Sequence, residues 1–325
     1  MIKKNFSEDS KNRYAELCNS ETTMPIFSQP WWLDCVSGES NWGVCLVEQD
    51  GEIVASMPYE IEKRVGFNLC KMPILTQTLG PWIRPSKLTN YKQLSRQKKL
   101  MNLLIDQLPN YDYFSQNWHY SQTNFIPFFW RGFQQRTKYT YLIEDLSDLD
   151  KVWDGFEAKT KLGIKNARDR FKLVIDENLT IEDFIHLHRR VFHRQNIAVP
   201  FSNQSIISLN QACKDNNASK IFIAIDEDGQ KHAGVYLIWD QNSAYYLMGG
   251  SDPEFLNSGA VSFCLWEAIK FASTVVTKFD FEGSMIESIE PFVRAFGAKQ
   301  KPYHSITKTP SLILRMRSAL LQVRS

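Results

Sequence analysis

The strongest constraint on how this chain can fold is an internal repeat. The segment PFFWRGFQQRTKYTYLI (127–143) returns 164 residues later as PFVRAFGAKQKPYHSIT (291–307). Upstream, VEQDGEIVASMPYEI (47–61) parallels AIDEDGQKHAGVYLIW (224–239), and TLGPW (78–82) parallels LMGGS (247–251). These landmarks keep one order in both halves, with only loop-length drift between them. That pattern marks two copies of one supersecondary unit. Each copy carries an Asp-Gly dipeptide between apolar runs (Asp50-Gly51 and Asp228-Gly229), a hairpin signal. Each also has a helix, expected over 122–131 and 286–296, that contains a Pro-Phe pair and closes at a glycine, followed by a strand. The chain is therefore expected to be α/β (α+β), divided into 1–144 and 145–325.

Within the second copy, 278–308 is the most informative stretch. Phe279 to Phe281 reads as a short strand, Glu282-Gly283 as a turn, 286–296 as a helix, and 303–308 as a second strand. Asp280 and Glu282 then stand at the carboxyl end of a strand, where open α/β sheets place ligands. Glu282, on the sharp turn, ranks first as a general base, with Asp280 and His304 behind it. Each also has a plainer meaning: a solvated acidic turn, a buried hydrogen-bonded acid and a satisfied strand residue. In the first copy Tyr113-Phe114-Ser115 stands where Phe281-Glu282-Gly283 does, so its acidic turn is gone.

Two further places could hold an anion. Met248-Gly249-Gly250 ends a strand, and Asn257-Ser258-Gly259-Ala260 opens a helix whose free N–H groups suit a phosphate. The other is a helix expected over 157–172. Six basic residues lie within 159–172 against one acid, and Lys161, Lys165, Arg168 and Lys172 recur at steps of four, three and four. His186, His188 and His193 lack the spacing that brings metal ligands together on a helix, so no metal is expected.

Composition narrows the classes. The 325 residues are 43% hydrophobic and 23% charged, an ordinary globular mix. A net charge of +2 gives no reason to expect nucleic acid as the default partner. Six cysteines without a C-x-x-C pair suggest neither structural zinc nor a secreted disulfide framework. With a polar amino terminus and no long apolar run, a cytoplasmic protein is expected. From 291 to 325 there is no acid but seven Lys or Arg. The segment 311–323 within it reads as a basic amphipathic helix. It is expected to pack on the second copy, with contact to the inner face of an anionic membrane as the alternative.

At TLGPW, KTKLGIKNARDRFKLV, HRRVFHRQ, YYLMGGSDPEFLNSGAVSFCLWEAIKFA and FDFEGSMIESIEPFVRAFGAKQKPY, the chain resembles the GNAT-like acyltransferases of the FemABX-related branch. The resemblance implies two tandem GNAT-like domains, each a mixed, largely antiparallel sheet flanked by helices. It implies transfer of an acyl or aminoacyl group to an amine acceptor, small or lipid- or nucleotide-linked, in cell-envelope or polysaccharide synthesis. The co-substrate would be an acyl-CoA or an aminoacyl-tRNA, with no cofactor tightly bound. A transfer RNA is the less favoured carrier, because the long coiled-coil arm of some members is missing here. Met248 to Gly250 and Asn257 to Ala260 would contact the carrier. Lys161, Lys165, Arg168, Arg194 and Trp82 would contact the acceptor. The competing expectation is a non-catalytic module whose degenerate domains only hold an anionic ligand.

Overall fold

The computed structural model describes residues 8–322 apart from Ser284. It divides into two compact units, one formed by the described parts of Met1–Lys138 and Pro302–Ser325, the other by Tyr139–Lys301.

Unit 1 begins with helices α1 (Glu8–Ser20) and α2 (Pro30–Ser37). The hairpin β1 (Trp42–Gln49) and β2 (Glu52–Glu60) follows. Gln49 pairs with Glu52 across Asp50-Gly51, whose φ angles are 54° and 84°, as the turn type favoured by Asp-Gly requires. Next come β3 (Glu62–Arg64), β4 (Phe67–Cys70), β5 (Trp82–Ile83), α3 (Asn90–Asp106), β6 (Tyr113–Asn117) and α4 (Ile126–Trp130). Strand β5 extends the β1–β2 hairpin to three strands, while β4 pairs antiparallel with β3 and parallel with β6. Buried aromatics hold the unit: Phe128 lies 4.7 Å from Trp118 and 4.9 Å from Phe133, edge to face.

Strand β7 (Gln134–Ile143) carries the chain into unit 2. There follow α5 (Leu149–Asp154), α6 (Ala158–Asp169), β8 (Val174–Ile175), α7 (Ile181–Arg194) and α8 (Asn203–Asp215). Then come β9 (Ser219–Ile225), β10 (Lys231–Trp239), β11 (Ala244–Ser251), α9 (Ala260–Ala272), β12 (Phe279–Asp280) and α10 (Glu290–Arg294). Strand β13 (Lys299–Lys308) returns to unit 1, where α11 (Leu312–Gln322) closes the described chain. The unit 2 sheet runs β7-β12-β11-β10-β9-β8. Alternation along β10 separates its two faces. Ala233, Val235 and Leu237 join the core that includes α9, whereas Phe184 of α7 packs on Gly234 and Tyr236. Helix α9 presents Ala260, Cys264, Ala268 and Ala272 at every fourth position, all buried, so its backbone can lie close to the sheet. A reciprocal capping box between Thr180 and Asp183 starts α7.

The repeat is visible element by element. Both α4 and α10 have proline in the first turn, and both are followed by a left-handed glycine (Gly132, φ 77°; Gly297, φ 67°) and a ten-residue strand. The division at 144/145 does not hold, because these closing strands are exchanged. Leu142 and Ile143 of the first copy pair with Asp280 and Phe279 in unit 2. Residues 305–308 of the second copy pair with 114–117 of β6 in unit 1. A strand's hydrogen-bonding edge does not specify which copy supplies its partner, so local periodicity is silent on the exchange.

Three further expectations are corrected. The basic helix stops at Asp169, and Lys172 lies beyond it with φ 52°, off the face of Lys161, Lys165 and Arg168. The helix expected over 286–296 is shortened to α10. The carboxyl-terminal helix belongs to unit 1, not to the second copy (Val323 is outside the described residues). It follows β13, which the exchange takes there.

Gly259 precedes α9 with φ 77°, and a Cβ there would stand 2.2 Å from the Gly163 carbonyl of α6. Gly259→Ala should therefore destabilise the protein by about 1–3 kcal/mol. Gly163→Ala, whose own Cβ would meet nothing within 4 Å, should instead stabilise it by about 0.5–1 kcal/mol. Urea unfolding of the two variants checks both signs.

Candidate active site

The site begins where two parallel strands part. Strand β11 pairs antiparallel with β10 from Ala244 to Ser251, but β12 pairs with its other edge only at Ala244–Phe279 and Tyr245–Asp280. Among the described residues no strand pairs that edge from Tyr246 to Ser251. A bulge falls in this stretch: Leu237 faces Tyr246 and Tyr236 faces Met248, leaving Leu247 as the extra residue. Bulges bend a strand and free backbone groups from the ladder. Two residues beyond the bulge, a side chain meets the strand: His188 Nδ1 donates to the Gly249 carbonyl at 2.8 Å. Gly249 and Gly250 are required sterically. A Cβ on Gly249 would fall 1.9 Å from the Tyr246 hydroxyl, and one on Gly250 2.5 Å from the His188 backbone nitrogen.

On the other arm lie the two acids. Asp280 is buried, and its Oδ1 accepts from Thr140 Oγ1 and from the Glu282 backbone N–H at 2.8 Å. Burial is the main reason its carboxyl is raised to about 7; the bonds from Thr140 and Glu282 pull it back, and the charge of Asp240 adds to the rise. Glu282 has a left-handed backbone, φ 57°, a conformation costly for a side-chain-bearing residue and concentrated at functional sites. Burial, and then the charge of Asp280, push its carboxyl well above the usual carboxylate range. A carboxyl raised to about 7, as in Asp280, is placed to exchange a proton at physiological pH.

The remaining expected residues are placed as follows. Ser258 and Ala260 are buried: Ser258 Oγ donates to the Phe255 carbonyl at 2.7 Å and accepts from Ala260 N at 3.4 Å. With Gly163 against Gly259, the opening of α9 is covered by α6, and of the four residues only Asn257 is exposed. On α6, Lys161 donates to the Asp154 carbonyl at 2.9 Å, Arg168 pairs with Asp169 at 2.8 Å, and Lys165 is exposed. Arg194 is exposed at the end of α7. Trp82 and His304 belong to unit 1. Trp82 is buried, its indole donating to Thr23 Oγ1 at 2.9 Å, and His304 Nε2 lies 3.3 Å from the Thr123 carbonyl. Pairing thus brings together, within unit 2, Asp280, Glu282 and the strand bearing Met248, Gly249 and Gly250.

Two residues of this site were not singled out from sequence. Thr140 lies 140 positions from its partner Asp280, and nothing local announces it. His188 had a signal: it occurs on the apolar face of α7 with Phe184 and Leu187. It is 6% exposed, flanked by Phe192 at 5.0 Å and stacked with Phe201 at 5.9 Å, and burial lowers its pKa.

Parallel strands that diverge after two paired residues, between helices on both sheet faces, define a GNAT-type acyltransferase fold. Residues 157–286 match the Acetyltransferase (GNAT) domain family. The matched residues all lie in unit 2, and the chain has a GNAT-like, FemABX-related fold. The crystal structure of FemX superposes with a TM-score of 0.68 at 12% identity, over 90% of this chain and 95% of that one. L-PGS from Bacillus licheniformis gives 0.54 at 11%, over 94% of each chain. A tandem GNAT protein from the clavulanic acid biosynthesis pathway gives 0.50 at 11%, over 94% and 97%. No curated protein matches the sequence.

The raised carboxyl of Asp280 has a consequence for stability. An acid whose folded pKa lies above its unfolded value binds more protons in the native state, so stability falls as pH rises. For Asp280 the window runs from the unfolded value near 4 to about 7. Asp280→Asn keeps both accepted hydrogen bonds without ionising. Its stability should decline less than that of the parent between pH 5 and 8, as read from urea midpoints across that range.

Proposed function

We propose that this protein transfers an acyl or aminoacyl group from a carrier to an amine acceptor, the chemistry occurring beside the unpaired edge of β11. The observation that carries the reading is the two-residue pairing of β11 with β12, followed by the buried Asp280 and the half-buried Glu282. An activated carbonyl lying along Met248, Gly249 and Gly250 would meet backbone N–H groups able to support a developing oxyanion. Holding the amine in line supplies on the order of 7–11 kcal/mol of the barrier without any covalent intermediate. Glu282 is assigned as the base that takes the amine proton, with Asp280 as its neighbour and second candidate; His304, in unit 1, is not assigned.

The carrier is an acyl-CoA or an aminoacyl-tRNA. The likeness to FemX and L-PGS supports an aminoacyl donor, and the GNAT domain an acyl-CoA. Asn257 remains the accessible donor contact of 257–260. Lys161, Lys165, Arg168 and Arg194 are assigned to an acceptor bearing phosphates, such as a nucleotide- or lipid-linked cell-envelope precursor; Trp82, buried in unit 1 with its indole bonded to Thr23, is not. No described helix is long and apolar enough to cross a membrane, and a cytoplasmic site of action fits these substrates.

Glu282→Gln should lower the transfer rate by roughly 10²–10⁴-fold while leaving carrier binding within about twofold. Rates with an acyl-CoA and with an aminoacyl-tRNA, beside calorimetry of carrier binding, check both halves. Full activity in Glu282→Gln would remove that residue from the mechanism. Absence of heat with either carrier class would favour the non-catalytic binding module.

A further inference from the structure

Helix α11 poses a physical problem that the rest of unit 1 does not solve. It is eleven residues long, and none of its described side chains is buried. A helix of that length is marginal in water unless an apolar face is packed against something. Its apolar face is present but uncovered: Leu312, Ile313, Met316 and Leu320 are 65%, 61%, 60% and 67% exposed. At 100° per residue these four fall within about 100° of arc, one continuous stripe. Arg315 and Arg317 are exposed on either side of it.

The charges decide what covers the stripe. Between 291 and 325 the chain has seven basic residues and no acid. A second copy meeting the same face would set arginines against arginines with no carboxylate from this segment to pair them. An anionic lipid surface offers what both parts of the helix lack: hydrocarbon for the stripe and phosphates for the flanking guanidiniums. The strand that leads into α11 is tied to unit 1. Lys308, at the end of β13, donates to the Arg131 carbonyl at 2.6 Å directly after α4, whose Phe129 and Trp130 are themselves 64% and 59% exposed. Tryptophan beside a cation, here Trp130 with Lys98 at 5.1 Å, suits the membrane–water interface.

We propose that α11 is an interfacial anchor, lying in the plane of an anionic membrane and holding the enzyme where a lipid-linked acceptor is found. That purpose rests on the acyltransferase reading; the binding itself does not. The test is co-sedimentation of the full chain with vesicles of phosphatidylglycerol and phosphatidylcholine in equal parts, and with phosphatidylcholine alone, without carrier or acceptor. The parent should bind the mixed vesicles, weaken as salt rises, and bind pure phosphatidylcholine at least about tenfold less. Leu312→Asp/Met316→Asp and Arg315→Glu/Arg317→Glu should each reduce binding by about tenfold or more, with thermal unfolding of the protein unchanged. Failure of the parent to bind, or undiminished binding by both variants, overturns the proposal. So does light scattering that shows a dimer in the parent and a monomer in Leu312→Asp/Met316→Asp, which would make the stripe a self-association face. Transfer to a soluble amine, measured in the same variants, should stay at the parental rate; absence of transfer by the parent itself would count against the enzyme reading and leave the anchor standing.

Discussion

Strands in a sheet satisfy each other's backbone groups, so a strand that leaves its neighbour must find other partners or expose itself. In unit 2 this happens after Tyr245 and Asp280. On one arm, His188 reaches from α7 to bind the Gly249 carbonyl, and the glycines let that helix lie against the strand. On the other, the turn folds back on itself: Asp280 accepts from the Glu282 N–H, and Phe281 N donates to the Tyr141 carbonyl at 3.0 Å. The cost of parting is concentrated in a left-handed, half-buried Glu282 and a buried Asp280. These are strained and electrostatically perturbed groups of the kind catalysis uses.

The strand exchange sets what supports that arm. Thr140, whose hydroxyl bonds Asp280, and the Tyr139 carbonyl, 2.1 Å from where a Cβ on Gly283 would stand, both come from the closing strand of the first copy. The acidic turn of the second copy is therefore shaped by residues of the first. Duplication here did not yield two self-sufficient units, since each copy's last strand is part of the other's unit. A truncation at the sequence repeat boundary would strip both sheets of a strand.

Helix α6 shows how packing reassigns a charge pattern. Its basic residues looked like an anion cradle because they recur at helical spacing. In the fold, Thr160, Ile164 and Ala167 face inward, and Gly163 abuts Gly259. The same contact covers the start of α9, the helix opening whose N–H groups seemed available for a phosphate. The two features expected to bind anions thus bury part of each other; Asn257 stays exposed at the start of α9, and Lys165 and Arg168 stay exposed on α6.

What the sequence determined was local and periodic. The Asp-Gly hairpins, the glycines that close the helices before each last strand, and the order of both copies could be read directly, because turn chemistry and side-chain period act over a few residues; the helices themselves came out shorter than expected. The acidic turn was legible too, since a strand ending in Asp280 and Glu282 needs no distant information to be recognised. The exchange of β7 and β13, the Thr140–Asp280 bond and the contact of His188 with Gly249 were decided only by tertiary structure. Backbone donors and acceptors are alike along the chain, so which strand or helix meets which is fixed by the packing of the whole domain and leaves no mark at the residues themselves.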